Sequence, residues 1–228
     1  MSKFIDKFNI FDLFTMLIPG IVFLCSMGIA LSSQYYQYWD EWSNEKYVLF
    51  FVLSYIFGIC LQEIGTICDK GFLHKILYGG YQRQVFLLDN KWHKIFDERI
   101  TFEIAKKIKQ KIVNELDLGE EVLETEENVN SFVFAYCISF LETNELNGKP
   151  DKMVVLSEMS RSFMYSSIFT LFIILVQSVK GYMNNVLATE TIIMIILGVI
   201  SFLRKWRYEK YRLRIMLRKM WILYQKDW

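Results

Sequence analysis

Glu63 is the side chain best placed to do chemistry, because it interrupts a stretch that is otherwise uncharged from Tyr47 onward, with Gln62 beside it. Two placements are open. If the apolar segment runs on to Cys68, the carboxylate and amide lie within hydrocarbon. Such groups face a bundle interior or an aqueous cavity there, and they mark ion routes. If the hydrocarbon ends at Gln62, Glu63 lies among headgroups and does neither. Ser54, Gly58, Gln62 and Gly65 fall on one helical stripe, and Ser54-xxx-Gly58 gives the small-residue spacing of a helix-packing seam. Pro19-Gly20 sits in another apolar stretch, where proline removes the hydrogen bond to the Thr15 carbonyl and leaves either a hinge or a fixed kink. Asn9 and Asp12 are spaced to cap the start of that stretch. Gln177 and Lys180 are expected at the outer end of a third apolar block, in reach of water, with Arg161 as an interface anchor at its inner end.

Chemistry of other kinds has no foothold. There is no phosphate loop, no GxSxG elbow, no HExxH and no calcium loop. His74 and His93 are the two histidines and are not at metal-ligand spacing, and no arginine precedes a histidine at the spacing of a HEPN-type nuclease. Cys25, Cys60, Cys68 and Cys137 form no CxxC pair, which argues for reduced, buried thiols over a zinc site or disulfide framework. The expectation is a protein without catalytic residues, metal or cofactor.

The elements that would position these groups are apolar helices. The chain has 228 residues, 53% apolar and 17% aromatic, and its charges fall between four greasy blocks. Spans are predicted at about 10–31, 47–68, 162–179 and 186–203, each near the ~20 residues a bilayer needs. The fourth is the weakest, since Thr191 to Leu203 is too short alone. It spans if it starts near Val186 with Glu190 near its outer end, or if Arg204 and Lys205 snorkel. Gly28-Ile29-Ala30 mimics a signal-peptide cleavage site, but the first block exceeds the usual ~7–15-residue signal core and reads as a span. Placing both termini and the central region on one side gathers 24 of the 26 lysines and arginines there, and that side should be cytoplasmic. Tyr35, Tyr36, Tyr38, Trp39 and Trp42 then supply an outer aromatic belt.

The reading is an all-α membrane protein with four transmembrane helices and a helical cytoplasmic domain inserted between the second and third. Residues 1–69 carry the first two spans, 70–161 the domain, 162–203 the last two spans, and 204–228 a basic tail. Within the domain, Gly71 to Tyr78 could prolong the second span until Gly79-Gly80, and Val85 to Leu88 is a short apolar run of undecided type. Thr101 to Leu118 is amphipathic, with Phe102, Ala105, Ile108, Ile112 and Leu116 on one face and lysines on the other. An acidic stretch from Glu115 to Glu127 reads as a solvated linker. Val129, Phe132, Val133, Tyr136 and Phe140 mark another helix. Asn147-Gly148-Lys149-Pro150 reads as a turn, before a helix that runs from about Asp151 into the third span. The tail carries Trp206, Leu213, Leu217, Met220, Tyr224 and Trp228 on one side and Arg207, Lys210, Arg214 and Arg218 on another. It reads as a surface helix on anionic lipid or as an ordinary positive-inside flank. Nucleic-acid binding lacks a recognition motif.

The run from Phe11 to Gly20, followed by Tyr55-Ile56-Phe57-Gly58 and Gln62-Glu63-Ile64-Gly65, resembles small bacterial multipass membrane proteins. Some of these accompany phage-defence systems, including those linked to RNA-targeting CRISPR effectors, and permeabilise the membrane. The resemblance covers the first two spans and carries no functional residue with it. It implies an oligomeric inner-membrane effector, pore-forming and gated through its cytoplasmic domain, with membrane lipids and copies of itself as partners. The alternative is a non-enzymatic scaffold that recruits a soluble cytoplasmic protein.

Overall fold

The computed structural model describes residues 10–35, 44–73, 102–115, 126–144, 148–182 and 184–226. Among them are six α-helices and no strand: α1 (Ile10–Tyr35), α2 (Asn44–Cys68), α3 (Phe102–Glu115), α4 (Glu126–Thr143), α5 (Gly148–Val179) and α6 (Asn185–Lys226). A π-helical turn, Asp69–Leu73, extends α2. Three stretches are long and apolar enough to cross a bilayer: Asn44–Gly71, Gly148–Val179 and Asn185–Gln225. The apolar part of α1, Thr15–Leu31, is shorter. Asn9, Leu116, Gly119, Gly79-Gly80, Val85 to Leu88 and Trp228 lie outside the described residues, as does the side chain of Asp12.

The chain forms two compact units: Met1–Ile67 with Val155–Trp206, and Cys68–Val154 with Arg207–Trp228. Helices α5 and α6 are continuous from one into the other.

In the first unit, small residues set how near the helices come. A Cβ added to Gly20 would strike the backbone carbonyl of Ser54, and one added to Gly58 would strike that of Met16. Only glycine lets the α1 and α2 backbones approach so closely. Phe23 and Phe57 meet nearby, with ring centroids 5.6 Å apart and ring planes tilted by 50°. Gly65 is covered by Tyr165 of α5, whose Cδ2 lies 2.8 Å from where a Cβ would be, and by the stem of Arg161. Around this interior, Val48, Phe51, Val52, Ile56, Phe172, Leu175, Ile196 and Val199 are exposed, as side chains that face lipid should be.

The second unit is the reverse. Ala105, Ile108 and Ile112 of α3, Val129, Val133, Cys137 and Leu141 of α4, and Leu213, Met216, Leu217, Met220 and Tyr224 of α6 form one core. The α3 face matches its sequence pattern. On α4 the buried stripe is rotated, so that Phe132, Tyr136 and Phe140 pack at its edge.

Several expectations need correction. The tail's apolar stripe is the third wall of this core, because burying it against α3 and α4 removes it from any solvent; it is not left free for lipid. The fourth block is the most apolar of the three candidate spans, with mean hydropathy 2.4, once Ile192 to Ile196 are counted in a longer helix. Gly148, Lys149 and Pro150 are the first turn of α5 and not a loop. Proline is tolerated there because its missing N–H has no helical partner to lose. The four cysteines are free, but only Cys137 is buried; Cys25 and Cys60 are exposed on apolar helices.

Candidate functional site

α5 is the least apolar of the three candidate spans, with mean hydropathy 1.7, and the most enclosed: 44% of its apolar window is buried, against 22% for each of the other two. A helix surrounded by protein can carry polar side chains that one facing lipid cannot. Ser160, Ser162, Ser166, Ser167, Thr170 and Gln177 are all buried along it.

Most hydroxyls in this unit are accounted for locally. Ser54 Oγ donates to the Phe50 carbonyl at 2.8 Å, Ser160 to Leu156 at 2.8 Å, Ser162 to Glu158 at 3.2 Å and Ser167 to Phe163 at 2.9 Å. Thr66 and Thr191 do the same with Gln62 and Leu187. A hydroxyl bonded to its own helix four residues back has no need of a further partner in a dry interior. Ser166 and Thr170 are different. Both are wholly buried, and neither hydroxyl has a hydrogen-bond partner. The same holds for Oε1 of Gln177, 4% exposed, and for Oε1 of Glu190, 7% exposed.

The fold brings these residues together through the α5–α6 hairpin. α5 ends in a Schellman turn, with Tyr182 N–H donating to the Gln177 carbonyl at 3.1 Å, Gly181 N–H to the Ser178 carbonyl at 3.0 Å, and Gly181 at φ 83°. Asn184 Oδ1 then caps α6 by accepting from Leu187 N–H at 2.8 Å. Beyond the turn, Ile174 and Leu187 pack with Ala30 of α1, and Gly198 packs against Ser167. Gln177 was expected in reach of water; this cap turns it inward and leaves only Lys180 exposed.

The residues singled out in the sequence are distributed otherwise. Gln62 is half-buried, and its Nε2 donates to Glu158 Oε2 of α5 at 3.1 Å, while its Oε1 has no partner. Glu63, the next residue along α2, is exposed. Ser54, Gly58 and Gly65 are buried against α1 and α5 of the same chain. Pro19 and Gly20 are buried within a continuous helix. Lys210 and Arg214 are half-exposed, and Arg207 and Arg218 are exposed, on the charged unit. The sequence does hold a signal for this buried row, of which only Gln177 was singled out: Ser162, Ser166, Thr170 and Gln177 recur at intervals of four and seven along a span of low hydropathy.

The charged unit contributes a half-open groove of about 980 Å³ between α3 and the end of α6, with Trp221 and Tyr224 beside Lys107, Lys111, Gln110 and Asn114. Lys111 Nζ stands 4.2 Å above the Tyr224 ring. Burial pushes the Tyr224 phenol up, with Tyr136 and Glu115 adding to the effect. Among the described residues no cluster of histidine, cysteine or carboxylate side chains is built to hold a metal ion.

These features define an all-helical membrane protein with a polar interior in its apolar unit and a separate packed core in its charged unit. No family model matches the chain, and neither a curated protein nor a solved structure is significantly similar to it.

Proposed function

We propose that this protein is an oligomeric effector of the bacterial inner membrane that permeabilises the bilayer, is gated through its charged helical unit, and serves in anti-phage defence. In this reading α1 is a fourth span. Its 26 residues reach about 39 Å at ~1.5 Å per residue, and the distribution of lysine and arginine puts both termini and the charged unit in the cytoplasm. The observation that carries the reading is the polar interior of the apolar unit, on the two helices that continue into the charged unit. A signal received by α3, α4 or the end of α6 then has a covalent route to that interior.

The Ser54/Gly58 seam is occupied within the chain, so copies would associate through the exposed aliphatic ridges of α2, α5 and α6. Arg207, Lys210, Arg214 and Arg218 would add electrostatic attraction to anionic lipid. Purified protein should run as an oligomer in detergent and release dye from liposomes. A monomer that releases none, with or without the charged unit's stimulus, would sink the proposal. The alternative, a scaffold recruiting a soluble protein, draws on the groove beside Trp221 and Tyr224. It predicts capture of a partner through the charged unit and no ion flux.

A further inference from the structure

We propose that the apolar unit holds a site for one monovalent alkali cation, built from the Glu190 carboxylate, the Gln177 side-chain carbonyl and the Thr170 hydroxyl, with Ser166 one turn deeper along α5. The inference deepens the proposed function by naming what the polar interior takes. It rests on α5 and α6 crossing a membrane, and not on leakage.

The buried hydroxyls of the apolar unit fall into two groups. The hydroxyls of Ser160, Ser162, Ser167 and Thr191 are bonded to carbonyls of their own helices and are chemically quiet. Those of Ser166 and Thr170 are not, although each is fully buried. An unmet polar group in a dry interior costs free energy that a fold does not spend four times without return. Of the nine buried polar atoms without a hydrogen-bond partner among the described residues, these four lie toward the α5–α6 turn, and all four are oxygens. Hydroxyl, amide carbonyl and carboxylate oxygens are hard donors, the kind that takes the place of a hydration shell around an alkali or alkaline-earth ion.

Helix geometry makes them converge. Side chains on a helix lean toward its amino terminus. On α5, Gln177 therefore leans back toward Ile174; on the antiparallel α6, Glu190 leans back toward Leu187. Ile174 and Leu187 belong to one packed cluster, so the amide and the carboxylate are directed at the same level. Glu190, one turn past Leu187, lies alongside the stretch of α5 between Thr170 and Ile174. The contact of Ser167 with Gly198 fixes the register on the deeper side. α1 closes the third side, with Ala30 in the same cluster and Cys25 within electrostatic range of Glu190.

Charge decides between the hard cations. One carboxylate with neutral oxygens is balanced by a single positive charge, whereas a divalent ion would leave a net charge in low dielectric, which is costly. Transition metals are disfavoured because the four unpartnered donors are all oxygens, while the nearby Cys25 thiol is exposed on α1.

The test is thermal unfolding of the purified full chain in nanodiscs, in choline chloride with Na⁺, K⁺ or Rb⁺ titrated in at constant ionic strength. One alkali ion should stabilise the protein saturably. Glu190→Gln and Thr170→Val should each weaken that response by about ten- to a hundredfold. Ser167→Ala, which removes a hydroxyl already bonded to its own helix, should leave it unchanged. If Glu190→Gln does not fold, the near-isosteric Thr170→Val and direct binding of radioactive Na⁺ or Rb⁺ to the wild type carry the test. No saturable response beyond that to choline overturns the site. So does a response that Thr170→Val retains in full, or one given by Ca²⁺ or Mg²⁺ alone. Dye release from liposomes is scored separately: a protein that binds the ion and never leaks keeps the site and loses the proposed function.

Discussion

The two units of this chain are built on opposite plans. Of fifteen buried polar side chains among the described residues, thirteen belong to the apolar unit, and only Asp69 and Asn130 to the charged one. The charged unit holds twelve of the twenty buried hydrophobic side chains and packs them into one core. Its surface is lysine, arginine and glutamate, while the apolar unit shows isoleucine, valine and phenylalanine. One chain therefore sorts the same residue types in opposite senses, according to what surrounds each half. In water, burial of Leu217 or Ile112 drives association; in lipid it gains nothing, and close backbone approach with satisfied polar groups must hold the helices together.

The strongest way to break this comparison is at Gly58. A side chain there meets the Met16 carbonyl, and backbone cannot step aside as a flexible side chain can. Gly58→Leu should cost more than about 3 kcal/mol, the upper range for overpacking, and abolish the folded apolar unit. Gly71→Ala, with nothing within 4 Å, is the control. Thermal unfolding in detergent reads both, and a stable Gly58→Leu protein would show that the helices are not held by backbone contact.

The charged unit should instead reveal its dry core through alkali. Cys137 is fully buried, and burial alone pushes its thiol from 9.0 up to about 12. A raised acid keeps its proton longer in the folded state. Its contribution is complete below pH 9 and is lost as pH climbs from 9 toward 12. At about 1.4 kcal/mol per unit the loss approaches ~4 kcal/mol at the top of that window. Cys137→Ala should flatten this alkaline limb, measured by denaturant unfolding across pH. An unchanged limb would mean that water reaches the core.

Charges on the two surfaces offer a third contrast. Val199 is 54% exposed on a candidate span, and Val199→Arg should cost about 3 kcal/mol of insertion free energy. Ser131→Arg, exposed on α4, should stay within about 0.5 kcal/mol. Insertion assays and thermal unfolding of the two variants read the difference. Equal costs would erase the distinction between the surfaces.

This contrast also explains what was legible in the sequence. The α3 face was readable because one side of the helix is apolar and the other carries lysines, so periodicity alone points inward. The first seam was readable because small residues at i, i+4 have few other uses in an apolar helix. The tail's destination was not, since an amphipathic stripe looks the same whether lipid or α3 covers it. Nor was the interior of the apolar unit. Whether Ser166 bonds to its own helix depends on its side-chain rotamer, and Ser166 and Ser167 are neighbours with opposite outcomes. Glu190 was read only as a charge near the outer end of the fourth span, because a hydropathy count records a carboxylate as a penalty and carries no information about which way it faces.

The smallest expected effect lies on the charged unit's surface. Lys111 Nζ and Glu115 Oε1 are 3.6 Å apart at i, i+4 spacing, and Glu115 is well exposed. Glu115→Gln should change stability by no more than about 0.5 kcal/mol, as exposed helix pairs do. It should nevertheless register at Tyr224, whose phenol Glu115 helps to raise. Removing that negative charge makes the phenolate easier to form, so Tyr224 should titrate lower than in the wild type. It should still titrate above a free phenol, because burial is the larger cause. Ultraviolet tyrosinate titration, differenced against Tyr224→Phe, isolates the shift. A stability loss well beyond 1 kcal/mol would show that this unit relies on surface charge pairs and not on its core, which would narrow the contrast between the two halves of the chain.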